Sequence, residues 1–137
     1  MSTFTFAYIL HGEFHVDTPH SAVNEISLGA VQSYSILNGT LSGPIGTVET
    51  EGNGPAFCAK LSNGIVAAMN YGSGNGTFLP TSNDGKTFVP PVSGITFPPP
   101  SNGVSHPHMA LEYNGEVFVS DLVSSPVIQV LDGFLIG

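Results

Sequence analysis

Two histidines separated by one residue, His106-Pro-His108, are the densest concentration of chemistry in this sequence. In an extended segment, residues i and i+2 share a face, so both imidazoles project to the same side. One imidazole so placed can serve as a general base toward water or a lactone. Two can share a metal ion, and two can equally cap an inner strand through hydrogen bonds to backbone. A second cluster holds His11, His15 and His20, with Glu13 and Asp17 between them. In an extended segment His11, Glu13, His15 and Asp17 share a face and make a legitimate donor set for a metal. Their spacing matches no zinc signature, and a solvated polar strand or loop accounts for them better. No metal and no cofactor is expected. Cys58, the single cysteine, has apolar flanks and reads as a small core residue rather than a reactive thiol.

Three further polar residues stand out by position. The segment Pro55 to Asn70 lines up with His106 to Asp121 at an offset of 51 residues, which puts Asn63-Gly64 on Asn114-Gly115 and Asn70 on Asp121. Each copy reads as strand, tight Asn-Gly turn, strand. Glu25, Asn70 and Asp121 then occupy equivalent strand ends. Polar side chains so placed could ring a polyol, a sugar or a cation, or tie neighbouring units together through buried hydrogen bonds. Tyr71, Tyr113, Phe78 and Phe88 could stack on a sugar face, although most of the aromatic residues are read as packing residues.

The elements that must position these groups are strands nearly throughout. Phe4 to Leu10 is aromatic and β-branched, and Ala22 to Glu25 is a short strand. Gly29 to Leu37 alternates apolar and polar residues, Asn38-Gly39 signals a type I′ hairpin, and Thr40 to Thr50 returns. Ala56 to Leu61 and Ile65 to Tyr71 pair across Asn63-Gly64, with a third strand at Thr77 to Leu79 and a turn at Asn83-Asp-Gly85 leading into Thr87 to Val89. The prolines at 90–91 and 98–100 bracket a rigid connection, read as a long loop. Met109 to Tyr113, Glu116 to Leu122 and Val127 to Leu131 form the last unit, and Phe134 to Ile136 can start another strand. No stretch keeps a helical apolar stripe free of Gly or Pro. The fold expected is all-β, one domain of about three four-stranded units over residues 1–50, 54–97 and 105–137.

Composition limits the partners. The chain has 137 residues, two lysines, no arginine and a formal charge of −8. A nucleic-acid or anionic-membrane surface calls for clustered Lys and Arg, which are missing. No run approaches the length of a membrane span. The opening residues lack the basic segment of a secretory leader, so a cytoplasmic location is the expectation, with leaderless release as the alternative.

Five short motifs now fall in a recognisable order: Ala22-Val-Asn-Glu25, Gly54-Pro55, Ala68-Met-Asn-Tyr-Gly-Ser-Gly74, His106-Pro-His108 and Ser120-Asp-Leu122. In this the chain resembles the seven-bladed lactonase propellers, the family of 6-phosphogluconolactonase and the fungal carboxymuconate-lactonizing enzymes. The resemblance covers about residues 20 to 132 and implies propeller-type blades, here fewer than half of a full ring. It also implies a lactone-opening site of histidine, glutamate and arginine side chains around a central channel. His106, His108 and Glu25 stand at matching positions, and arginine does not. Lys60 and Lys86 fall outside the motifs, and a net charge of −8 repels an anionic substrate.

Three blades would leave apolar flanks and strand edges open, so a homo-oligomer is expected, a dimer first. The functional expectation is a non-catalytic binding protein, of a small acidic fungal lectin-like or immunomodulatory kind. It would take a small polar ligand or carbohydrate through Asn70, Tyr71, Asp121, Glu25 and His108. The alternative is a lactone hydrolase or lactonizing enzyme using His106, His108 and Glu25 in an oligomeric channel.

Overall fold

A computed structural model of the chain describes residues 5–11, 28–90, 92–101, 103–122 and 127–131. These residues form three antiparallel sheets. The first holds β1 (Thr5–His11), β2 (Ala30–Leu37) and β3 (Thr40–Glu49), in that order. The second holds β4 (Pro55–Lys60), β5 (Val66–Asn70), β6 (Asn75–Leu79) and β7 (Ser93–Thr96). The third holds β8 (Pro107–Tyr113), β9 (Glu116–Asp121) and β10 (Val127–Leu131). Among the described residues no helix is long and apolar enough to cross a membrane.

The sheets stack face to face, with the second in the middle. Strand β5, Val-Ala-Ala-Met-Asn, is buried at every position. Side chains of a strand alternate between faces, and here both faces meet protein. Val66 and Ala68, with Leu79 of β6, pack against Val31 and the half-buried Tyr8, Leu10 and Val48 of the first sheet. Ala67 and Met69, with Phe78 of β6, pack against Ala110, Val117 and Val119 of the third. A strand covered on both sides reads as a continuous apolar run, which is why β5 lacks the polar alternation of a half-exposed strand.

The hairpin turns follow their residues. Asn38 and Gly39 (φ 51° and 76°), and likewise Asn114 and Gly115 (φ 57° and 83°), both take left-handed backbone, the geometry of a type I′ turn. The turn between β4 and β5 is one residue longer. Gly64 N–H donates to the Leu61 carbonyl at 3.0 Å and Leu61 N–H to the Ile65 carbonyl at 2.8 Å, and only Gly64 has positive φ. The duplication therefore has two offsets. Pro55 opposes Asn70 and Pro107 opposes Asp121, so the first strands differ by 52 positions (107 − 55) and the second by 51 (121 − 70). Both hairpins carry a bulge at the same place, between Pro55 and Phe57 and between Pro107 and Met109.

Two expectations are corrected. Thr87 to Val89 is not a strand; only an isolated bridge joins Thr81 to Phe88, within a small loop closed by Val89 N–H donating to the Pro80 carbonyl at 2.8 Å. The second sheet's fourth strand is β7, inside the proline-flanked connection that reads as loop. Its pattern is weak because Gly94 contributes no side chain and Ile95 alone faces the core. Among the described residues the outer sheets have three strands each, against four expected. The strands expected at Ala22 to Glu25 and Phe134 to Ile136 lie outside the described residues.

Candidate functional site

The motif residues converge where β5 and β9 end and β8 begins. Asn70 closes β5, and residues 71–74 turn the chain into β6, with Gly74 N–H donating to the Asn70 carbonyl at 3.0 Å. Gly74 has φ +70°, and a Cβ there would lie 2.8 Å from the Ser105 carbonyl oxygen, so only glycine lets the turn sit against the segment entering β8. That segment, Ser105-His106, is held from the other side by Asp121 at the end of β9. The Asp121 carboxylate accepts hydrogen bonds from the Ser105 hydroxyl and, at 2.9 Å, from the His106 backbone N–H. Leu122 N–H donates to the His106 carbonyl at 3.0 Å.

So fixed, the His106 ring lies on Tyr71, with centroids 4.3 Å apart and planes 19° from parallel. His106 Nδ1 is 2.8 Å from the Tyr71 carbonyl oxygen. A carbonyl only accepts, so Nδ1 carries a proton, and in the neutral tautomer that this selects Nε2 is the ring's acceptor. His108 occupies the β8 bulge, where an extra residue re-aims a side chain. Its ring meets Tyr71 edge-on at 6.3 Å and 83°. The two histidines flank one tyrosine. Tyr71 and His108 are exposed and His106 is half-buried, so the three rings form a solvent-facing aromatic and hydrogen-bonding platform.

Asn70 and Asp121 lie beneath it. Asn70 is fully buried, and its Nδ2 donates to the Thr50 carbonyl at 2.9 Å and to the Thr77 hydroxyl at 3.3 Å. Because the Thr50 carbonyl only accepts, the amide orientation is fixed, and Oδ1 is left buried without a partner. Asp121 is 6% exposed, with its carboxylate engaged as above. Both residues tie backbone segments together rather than face solvent. Ser105, Thr50 and Thr77 complete this support. Nothing in the spacing of Ser or Thr singles them out, because their role comes from strands that meet only in the fold. Glu25 lies outside the described residues, as do Glu13, His15, Asp17 and His20.

The remaining candidates sit elsewhere. Phe78 is fully buried in the core between the second and third sheets, and Phe88 packs half-buried near Tyr8, with centroids 6.1 Å apart. Tyr113 lies at the far end of β8, six residues from Pro107, which is about 20 Å along a strand. Lys60 pairs with Val66 at the opposite end of the second sheet from Asn70, and Lys86 Nζ is 3.7 Å from Asp84. No cationic side chain therefore stands beside the platform among the described residues. No group of three or more His, Cys, Asp or Glu able to hold a metal occurs there either.

No family model, curated protein or solved structure matches the chain.

Proposed function

We propose that the chain is a non-catalytic, lectin-like binding protein that takes a neutral, hydroxyl-rich ligand on the Tyr71–His106–His108 platform. We further propose that its three sheets are propeller-type blades of the lactonase kind, with a second copy of the chain covering the open flank. The observation that carries the ligand reading is the division of labour at the site. The carboxylate and the amide are buried and used on backbone, while the aromatic ring and the two imidazoles face solvent. A tyrosine ring gives a sugar an apolar face to lie on, and His106 Nε2 can accept from a hydroxyl.

Lactone opening is the weaker reading. A catalytic imidazole is usually oriented by a carboxylate on its second nitrogen. Here Asp121 accepts from the His106 backbone, and a backbone carbonyl holds the ring instead. Lys60, an oxyanion partner by charge, lies at the far end of its sheet.

The test is calorimetric titration, with thermal-shift screening, against a panel of neutral mono- and oligosaccharides and polyols. At least one should bind, and Tyr71→Ala and His106→Ala should each weaken it by about tenfold or more. Absence of any response across the panel would overturn the ligand reading. Hydrolysis of neutral lactones that disappears in His108→Ala would replace it with the enzyme reading.

A further inference from the structure

Six of the nine asparagines in the chain stand directly before glycine: Asn38, Asn53, Asn63, Asn75, Asn102 and Asn114. Such a pair makes turns, but it also carries a reaction. The backbone nitrogen of glycine has no side chain beside it, so it can attack the side-chain amide carbon of the asparagine before it. The dipeptides are identical, so the fold decides which of them react. Three are held back. Asn63 Oδ1 accepts from Ile65 N–H at 3.0 Å, and the nucleophile itself, Gly64 N–H, donates to the Leu61 carbonyl at 3.0 Å. Asn75 Oδ1 accepts from the Ser73 hydroxyl and its Nδ2 donates to the Glu51 carbonyl at 3.3 Å. Gly76 beside it is buried, with Met69 Cε 2.9 Å from where a Cβ would stand. Asn53 is pinned through both its peptide groups, its N–H donating to Ser73 Oγ and its carbonyl accepting from Gly72 N–H, each at 3.1 Å. Asn102 lies outside the described residues.

Asn38-Gly39 and Asn114-Gly115 differ on every count. Both pairs are exposed at the tips of two-residue turns. Among the described residues neither asparagine side chain has a hydrogen-bond partner and neither glycine N–H donates. Apart from chain neighbours, nothing lies within 4 Å of the place a Cβ would take on Gly39 or Gly115, so a ring has room to close there. Closure requires the asparagine backbone to turn, and at a hairpin tip that motion disturbs no packed residue.

We propose that Asn38 and Asn114 are self-modifying sites, at which the folded chain converts an asparagine to a carboxylate without an enzyme. Solvent takes the glycine N–H proton, the nitrogen bonds to the asparagine Cγ, and the side-chain nitrogen gains a proton from solvent and leaves as ammonia. A succinimide ring remains. Water then adds to one of its two carbonyls. Breaking the bond from the glycine nitrogen to Cγ leaves aspartate. Breaking its bond to the backbone carbonyl carbon leaves isoaspartate, with the main chain routed through the former side chain. In sum one water is consumed and one ammonia released, with no change of oxidation state. Each event adds one negative charge, so conversion of both sites takes the formal charge from −8 to −10 (−8 − 2). The two products act differently on the hairpin. Aspartate tolerates left-handed backbone and keeps the turn. Isoaspartate lengthens the main chain inside a two-residue turn and loosens the strand pairing that the turn fixes. The modification is independent of the proposed ligand and of self-association.

Ageing the whole wild-type chain at neutral pH in oxygen-18 water tests this, with a parallel sample unfolded in urea. Peptide mapping by mass spectrometry reads the conversion at each asparagine, and the heavy oxygen separates it from changes during digestion. In the folded chain Asn38 and Asn114 should convert at least about tenfold faster than Asn53, Asn63 and Asn75. In urea the five should convert at similar rates, because only the shared dipeptide then acts. Equal rates across the five in the folded chain would overturn the proposal. So would faster conversion at Asn53, Asn63 or Asn75, or intact Asn38 and Asn114 over a period in which the unfolded chain converts.

Discussion

The Tyr71 and His106 rings are stacked at 4.3 Å, and the same histidine is tied to the Tyr71 backbone carbonyl at 2.8 Å. One ring is thus fixed to the other residue twice, through its face and through its edge. The tether runs to main chain, so the tyrosine side chain can be altered without releasing it.

Tyr71→Phe should keep the stack and the tether and change stability by less than about 0.5 kcal/mol. His106→Ala loses both and should cost about 1–2 kcal/mol. Urea unfolding of the two variants beside wild type checks this. Equal losses would mean that the tyrosine hydroxyl carries weight that the geometry does not assign to it.

The buried supports should prove more sensitive than the platform. Asp121→Ala strands the Ser105 hydroxyl and the His106 N–H and should cost about 2–4 kcal/mol, with Asp121→Asn costing less because an acceptor remains. Asn70→Asp replaces the Nδ2 donor by an oxygen facing the Thr50 carbonyl and should cost about 3 kcal/mol or more. Equilibrium denaturation reads both.

Two alanines set the spacing of the stack. Ala67 and Ala68 are fully buried on opposite faces of β5. Ala67→Leu should overpack the interface with the third sheet, and Ala68→Leu that with the first, each costing about 1–3 kcal/mol or more. Ala56→Leu, at an exposed position of β4, should be nearly neutral. Thermal melting of the three separates two-sided burial from ordinary strand burial.

Alkaline pH should weaken the fold. Burial raises the Cys58 thiol above its ordinary 9.0. Burial, then the charges of Cys58 and Asp84, raises the Tyr8 phenol above 10.0. Both groups are held neutral, so their contribution is complete below those ordinary values and is lost as pH rises through the raised ones. Stability measured from pH 8 upward should begin to fall above about pH 9, and Cys58→Ala should flatten the first part of the fall. The same burial predicts slow reaction of Cys58 with thiol reagents at neutral pH.

Much of this was legible in the residues, and the illegible parts have physical causes. Asn-Gly pairs announced their turns because left-handed backbone at two consecutive positions favours those residues. The duplicated segment announced equivalent strand ends, and Asn70 and Asp121 do occupy them. The sequence did not reveal which of these polar ends are buried, because that depends on Thr50, Thr77 and Ser105 arriving from other strands. The bulge at His108 was hidden as well, and with it the way one tyrosine gathers both histidines. Strand β7 was masked by its proline flanks, which speak for loop even when four residues between them pair.

By the two offsets, Cys58, Val66 and Ala68, which the second sheet turns toward the first, correspond to Ala110, Val117 and Val119, which the third turns toward the second, and this has a consequence for how such a chain could lengthen. Tandem duplication of about fifty residues would insert a layer whose two surfaces already fit the neighbours on either side. Growth by whole layers would then demand no new side-chain inventions, only a connector of the right reach.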